Sequence, residues 1–157
     1  MSKAVNVFTR TFILITLLFS ALSASARSFS QCVSLNSSLP QFEQEEALVD
    51  CFETNKSNLS SGSCYAAIHK IKAAQKSATL NERLKTICFY DVSLFKNDKL
   101  CMARASEFSI AENHDEALFE CFNQFQESMN QKSCLEMSSK LIYPAKKEHL
   151  RQHCLNN

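Results

Sequence analysis

Apolar residues recur along this chain at helical spacing, and nowhere does a period of two persist long enough to define a strand. Phe42, Val49 and Phe52 share one stripe, with Leu48 and Cys51 beside it. Pro40 suits a first helical position, so a helix is expected over about 40–57. Ser60, Ser61 or Gly62 opens the next, with Cys64, Ile68 and Ile71 inward, ending near Ser77. Thr79-x-x-Glu82 and Ser109-x-x-Glu112 read as capping boxes. The first precedes a stripe of Leu84, Ile87, Cys88 and Phe95, the second one of Leu118, Cys121, Phe122, Phe125 and Met129. A further helix is expected from Leu100 to Phe108, one over about 131–142, and a last one after Pro144. Phe119 points about 100° away from Leu118, towards solvent or a neighbouring unit.

The first 26 residues have a different pattern. Lys3 and Arg10 precede an apolar run from Phe12 to Leu22, and Ala24-Ser25-Ala26 supplies small residues for cleavage. This is the layout of a secretory signal peptide, cut after Ala26, and the run is too short to span a bilayer, which takes roughly 20 residues. No other segment is apolar enough to span, so the mature chain is expected to be secreted or periplasmic. Its cleavage leaves 15 Lys and Arg against 16 Asp and Glu, a balance that gives no general attraction to nucleic acid or an anionic membrane. Acidic residues crowd Glu43–Glu53, and Lys140, Lys146, Lys147 and Arg151 crowd the C-terminus. Solvated helix faces account for both, and a contact between them is the sharper alternative.

Eight cysteines behind a signal peptide indicate four disulfides. Cys32, Cys51, Cys64, Cys88, Cys101, Cys121, Cys134 and Cys154 are separated by 19, 13, 24, 13, 20, 13 and 20 residues. No C-x-x-C is present, which excludes a zinc knuckle and a thioredoxin-type pair. The intervals describe one four-cysteine unit used twice. At an offset of 70, Glu46, Ala47, Leu48, Cys51, Phe52, Ser63, Cys64 and Lys70 are each matched by the same residue. The expected organisation is a signal peptide at 1–26 and two helical repeats at 27–96 and 97–157. The expected fold is an all-α, disulfide-stapled helical bundle built from two related four-cysteine units. If Cys51 and Cys64 face each other across a tight helical hairpin, the pairs are Cys51–Cys64, Cys121–Cys134, Cys32–Cys88 and Cys101–Cys154. Cys32–Cys51 with Cys64–Cys88 is the competing arrangement.

Cys51-Phe52, Leu59-Ser60 and Cys64 followed by Ala66-Ala67-Ile68 resemble the cysteine-rich repeat of Golgi-apparatus and FGF-receptor-binding proteins. The resemblance covers about residues 51–68 and implies an interaction module. That family's Cys-x-x-Asp start is absent at Cys32 and Cys101.

Candidate chemistry is sparse. A single glycine rules out the Gly-rich phosphate loops. Neither a catalytic constellation nor a cofactor motif can be written from these residues. His149 and His153 are four apart, a metal-ligand spacing, but Lys147 and Arg151 beside them disfavour a cation. The carboxylates at Glu43–Glu46 and Glu112–Glu116 fit helix N-terminal halves, where they favour the dipole. Asn36, Asn55 and Asn58 each begin an N-glycosylation sequon. The reading is a non-enzymatic, exported binding protein whose partner is a protein. The alternatives are carriage of a small apolar ligand between the two units, and a small secreted enzyme or enzyme inhibitor.

Overall fold

The computed structural model describes residues 28–156; the expected signal peptide lies outside the described residues. Within them the chain is all helical, with no strand. Helices α1 (Phe29–Asn36), α2 (Gln41–Asn55), α3 (Ser61–Lys70), α4 (Lys72–Lys76) and α5 (Ala78–Thr86) lead into a π-helical turn, Ile87–Val92. Then follow α6 (Asp98–Ala105), α7 (Ala111–Phe125), α8 (Gln131–Lys140) and α9 (Pro144–Asn156). α2 and α7 both have 15 residues, α3 and α8 both have 10, and α1 and α6 both have 8. The helix lengths thus recur with the cysteine spacing.

The disulfides join Cys32–Cys51, Cys64–Cys88, Cys101–Cys121 and Cys134–Cys154. Each cysteine therefore pairs with a near neighbour in sequence, and Cys51–Cys64, Cys121–Cys134, Cys32–Cys88 and Cys101–Cys154 are not formed. The reason is which helices pack. α2 lies on α1 and on α5, and α3 lies on the π turn, so α2 and α3 are not the tight hairpin that would join Cys51 to Cys64. In the second half α6 packs on α7 and α8 on α9. Every disulfide thus clamps one pair of packed elements, closing loops of 19 to 24 residues. A loop of this size contributes on the order of 3 kcal/mol by restricting the unfolded chain.

Two cores result. Leu48, Phe52, Cys64, Tyr65, Ile68, Leu80 and Leu84 belong to the first. Leu118, Cys121, Met137, Leu141, Leu150 and Cys154 belong to the second, together with Phe89 and Phe95 from the first half. The π turn makes that crossing possible. It buries Ile87, Cys88 and Phe89 in succession, sending Cys88 to Cys64 and Phe89 to Phe95 and Phe108, with ring centroids 4.9 and 5.7 Å away.

Neither expected capping box forms, and both fail at one contact. α5 starts at Ser77, whose hydroxyl accepts from the Leu80 N–H, and α7 starts without a side-chain cap. Glu82 and Ser109 instead meet across the junction of the halves. Glu82 is 3% exposed; its Oε1 accepts from the Ser109 N–H at 2.8 Å and its Oε2 from Asn113 Nδ2 at 3.2 Å. Lys85 Nζ lies 3.5 Å from the same carboxylate and donates to the Glu107 carbonyl. Arg104 stacks over the Tyr65 ring, 4.3 Å from its centroid.

Three other expectations are corrected. Phe42 does not join the inward stripe and is 79% exposed. The expected helix from Ser61 to Ser77 breaks at Ile71, which turns extended and buries its side chain. α1 had no place in the hydrophobic pattern, yet Ser28 and Gln31 form a capping box at its start.

Counting from the fourth cysteine of each half, Glu148 and Arg151 stand where Glu82 and Lys85 do. They too form an ion pair, but with both side chains more than half exposed. Glu82→Ala is expected to lower unfolding stability by about 3–5 kcal/mol, because it strands a buried ammonium. Glu148→Ala is expected to change it by less than about 1 kcal/mol. Urea titration of both variants checks this.

Asp115 holds the entry to α9. Its carboxylate is fully buried and accepts from the Ile142 and Tyr143 N–H groups at 2.8 and 2.9 Å, and it is bonded to His114 Nδ1 at 3.0 Å. Burial pushes the Asp115 carboxyl up, but these three bonds outweigh it and hold the group below its ordinary value. Its ionised form therefore adds stability that is fully present above the unfolded value of about 3.9 and disappears as pH falls through the lowered folded value. Asp115→Asn is expected to be less stable by about 1–3 kcal/mol at neutral pH, and to lose less further stability on acidification than the parent. Chemical denaturation at pH 7 and pH 3 measures both.

Candidate functional site

Three concavities of the described surface hold residues singled out in the sequence, and they share them unevenly. One is a groove of about 450 Å³ between α1 and α3. Phe29, Val33, Ala66 and Ala67 supply its apolar surface, serines stand along both sides, and Lys70 is its one charged lining residue. Local sequence explains the shape. The Ser28 cap starts α1 so that Phe29 packs edge-on to Phe52 at 4.9 Å. The Ser60–Ser63 capping box starts α3 and sets Ser63 at the mouth. Cys32–Cys51 ties α1 to α2 and Cys64–Cys88 ties α3 to the π turn, so no covalent link draws the groove walls together.

The second half shows what closes such a groove. At the positions matching Val33 and Ala67 stand Met102 and Met137, which are 3% and 0% exposed. At those matching Phe29 and Ala66 stand Asp98 and Glu136. Long thioethers thus sit buried in the second core at the positions where the first half has two smaller side chains lining a groove. The periodicity reading missed this, because Ala67 and Val33 look like ordinary core residues until each is set beside its counterpart.

A second groove, about 370 Å³, lies between the halves, where an apolar ligand was expected. Phe89, Tyr90 and Phe95 line one side, but Glu120, Asn123 and Gln124 line the other. Burial, with Glu116 and Glu120 nearby, pushes the Tyr90 hydroxyl up. A carboxylate and two amides suit a polar group better than an aliphatic one.

The third hollow, about 240 Å³, contains His153 with Glu127, Gln126, Gln131 and the Cys134–Cys154 bridge. The His153 ring packs edge-on to Phe122 at 5.0 Å. His149 is exposed one turn away and does not line the hollow. No group of three metal-ligating side chains occurs among the described residues.

Other singled-out residues have local roles. Phe119 is partly buried against the second core. Glu46 pairs with Arg83, and Arg151 with Glu148, so these members of the acidic and basic clusters are satisfied near home. The Arg83 bond holds the Glu46 carboxyl below its usual range. Four disulfides, and no helix among the described residues long and apolar enough to cross a membrane, fit an oxidising extracellular or periplasmic compartment.

The three sequons are not equivalent. Asn36 Nδ2 donates to the Ala47 carbonyl at 3.0 Å and to Cys51 Sγ at 2.9 Å, and Asn55 Nδ2 donates to the Cys51 carbonyl at 2.8 Å. Asn58 is exposed at the end of a 3₁₀ turn, just before the extended Leu59. Secreted from a glycosylating eukaryotic host, the folded protein is expected to carry one glycan, at Asn58. Glycosidase release with peptide mass analysis checks this, and Asn58→Gln is expected to abolish it.

No family model, no curated protein and no solved structure matches this chain.

Proposed function

We propose that the chain is an exported, non-enzymatic binding protein whose binding surface is the α1–α3 groove, and that it takes an apolar group there. One observation carries the reading: Val33 and Ala67 line an open groove in the first half, whereas Met102 and Met137 at the matching positions of the second are buried in its core. A groove of about 450 Å³ lies within the range of roughly 300–1,000 Å³ typical of small-ligand sites. The signal-peptide pattern of residues 1–26 and the four disulfides agree with export. Carriage of an apolar ligand thus moves from between the halves to within the first. The short resemblance to a cysteine-rich interaction repeat spans α3 up to Ile68, including Ala66 and Ala67 of the groove, and fits a binding role.

The test is a neutral apolar fluorophore, N-phenyl-1-naphthylamine, titrated into the mature protein. Saturable binding is expected, and Ala67→Met is expected to weaken it about tenfold or more with the helical circular-dichroism signal unchanged. No saturable binding, or unchanged binding to a folded Ala67→Met protein, contradicts the reading.

A further inference from the structure

We infer that the α1–α3 groove takes a single-chain aliphatic carboxylate, with the tail on Phe29, Val33, Ala66 and Ala67 and the carboxylate at Lys70. This rests on the binding role proposed above and names the ligand class.

The shape of the groove selects the tail. The walls are two helices, and the lining runs along α3 from Ser63 to Lys70, seven residues or about 10 Å of rise. The lining along α1 runs from Phe29 to Ser37, about 12 Å. The lining is therefore long enough to take one extended aliphatic chain laid along the two helices. Its apolar surface comes from an aromatic ring, one valine and two alanines, with no amide or carboxylate among the lining residues. A bulky polar body would find only the serine hydroxyls of the rim to replace its hydration.

The charge of the lining selects the head group. Lys70 is the only charged residue of the lining, at one end of the groove. Among the described residues its side-chain ammonium has neither an ion pair nor a hydrogen bond. Lys56 and Lys85, by contrast, are each paired with carboxylates. Lys140 matches Lys70 in the second half, so a lysine here also serves the helix C-terminus. What distinguishes Lys70 is the small-residue lane beside it, where Lys140 has Met137 and Glu136. The serines along the rim offer hydroxyls that tolerate either water or an ester or acid oxygen.

Calorimetric titration of the mature protein with decanoate and with 1-decanol, at neutral pH and low salt, separates tail from head. The parent is expected to bind both, and decanoate more tightly. Lys70→Gln is expected to weaken decanoate about two- to fivefold, the effect of one exposed ion pair, and to leave decanol unchanged. Raising the salt to 0.5 M should remove the same preference. Ala67→Met is expected to abolish both. If Lys70→Gln weakens neither ligand, or both equally, while Ala67→Met still abolishes decanol, the carboxylate assignment falls and the groove stands. If Ala67→Met leaves both unchanged, or the parent binds neither, the groove reading falls too.

Discussion

Each disulfide joins two packed helical elements that are close in sequence, and this local clamping shapes the rest of the molecule. A helical half of some 60 residues buries a modest core, worth only a few kcal/mol net, so it needs covalent help. Here the help goes within helix pairs rather than between them. Cys32–Cys51 holds α1 on α2, Cys64–Cys88 holds α3 on the π turn, and the second half repeats the scheme. Contacts between clamped pairs are left to side-chain packing, and those contacts are where the two halves have diverged. Met102 and Met137 pack the second half where Val33 and Ala67 leave the first half open.

The junction between the halves uses a different chemistry. Phe89 crosses into the second core, and beside it Glu82, Lys85, Ser109 and Asn113 form a buried polar cluster. Both oxygens of Glu82 are bonded, so the carboxylate is satisfied without water. Such a cluster adds less to stability than apolar packing of the same volume, but it disfavours a displaced register, since any slip strands a charge. The matching pair Glu148–Arg151 has nothing docked on it and is solvated. One sequence device thus has two energetic roles, decided by what covers it.

Much of this was legible in the sequence. The helical period, the single glycine and the eight cysteines specify an all-α disulfide-stapled chain, and of the two stripes Leu84, Ile87, Cys88, Phe95, Leu118, Cys121 and Phe122 are buried, with Phe125 and Met129 partly so. Pairing was not legible, because spacing alone does not reveal whether α2 lies on α1 or on α3. The capping boxes misled for a physical reason. Glu82 and Ser109 have the residue types of a cap, but each finds its partner across the junction, and local pattern cannot see a contact of 27 residues' separation. α1 escaped because its serines mask a weak stripe. The groove escaped because an alanine signals core and opening alike. Only the pairing of each half's positions, Val33 with Met102 and Ala67 with Met137, tells them apart.

The groove walls α1 and α3 belong to different clamped pairs, so the disulfide map sets the frame within which small side chains leave the groove open. The direct measurement is mass analysis of unreduced peptides from the native protein, digested with trypsin and a glutamyl endopeptidase at a pH that prevents exchange. The account predicts linked peptides for Cys32–Cys51, Cys64–Cys88, Cys101–Cys121 and Cys134–Cys154, and no others. A peptide pair joining Cys51 to Cys64, or Cys121 to Cys134, would contradict it, since that bridge draws α2 onto α3 and removes the arrangement that frames the groove.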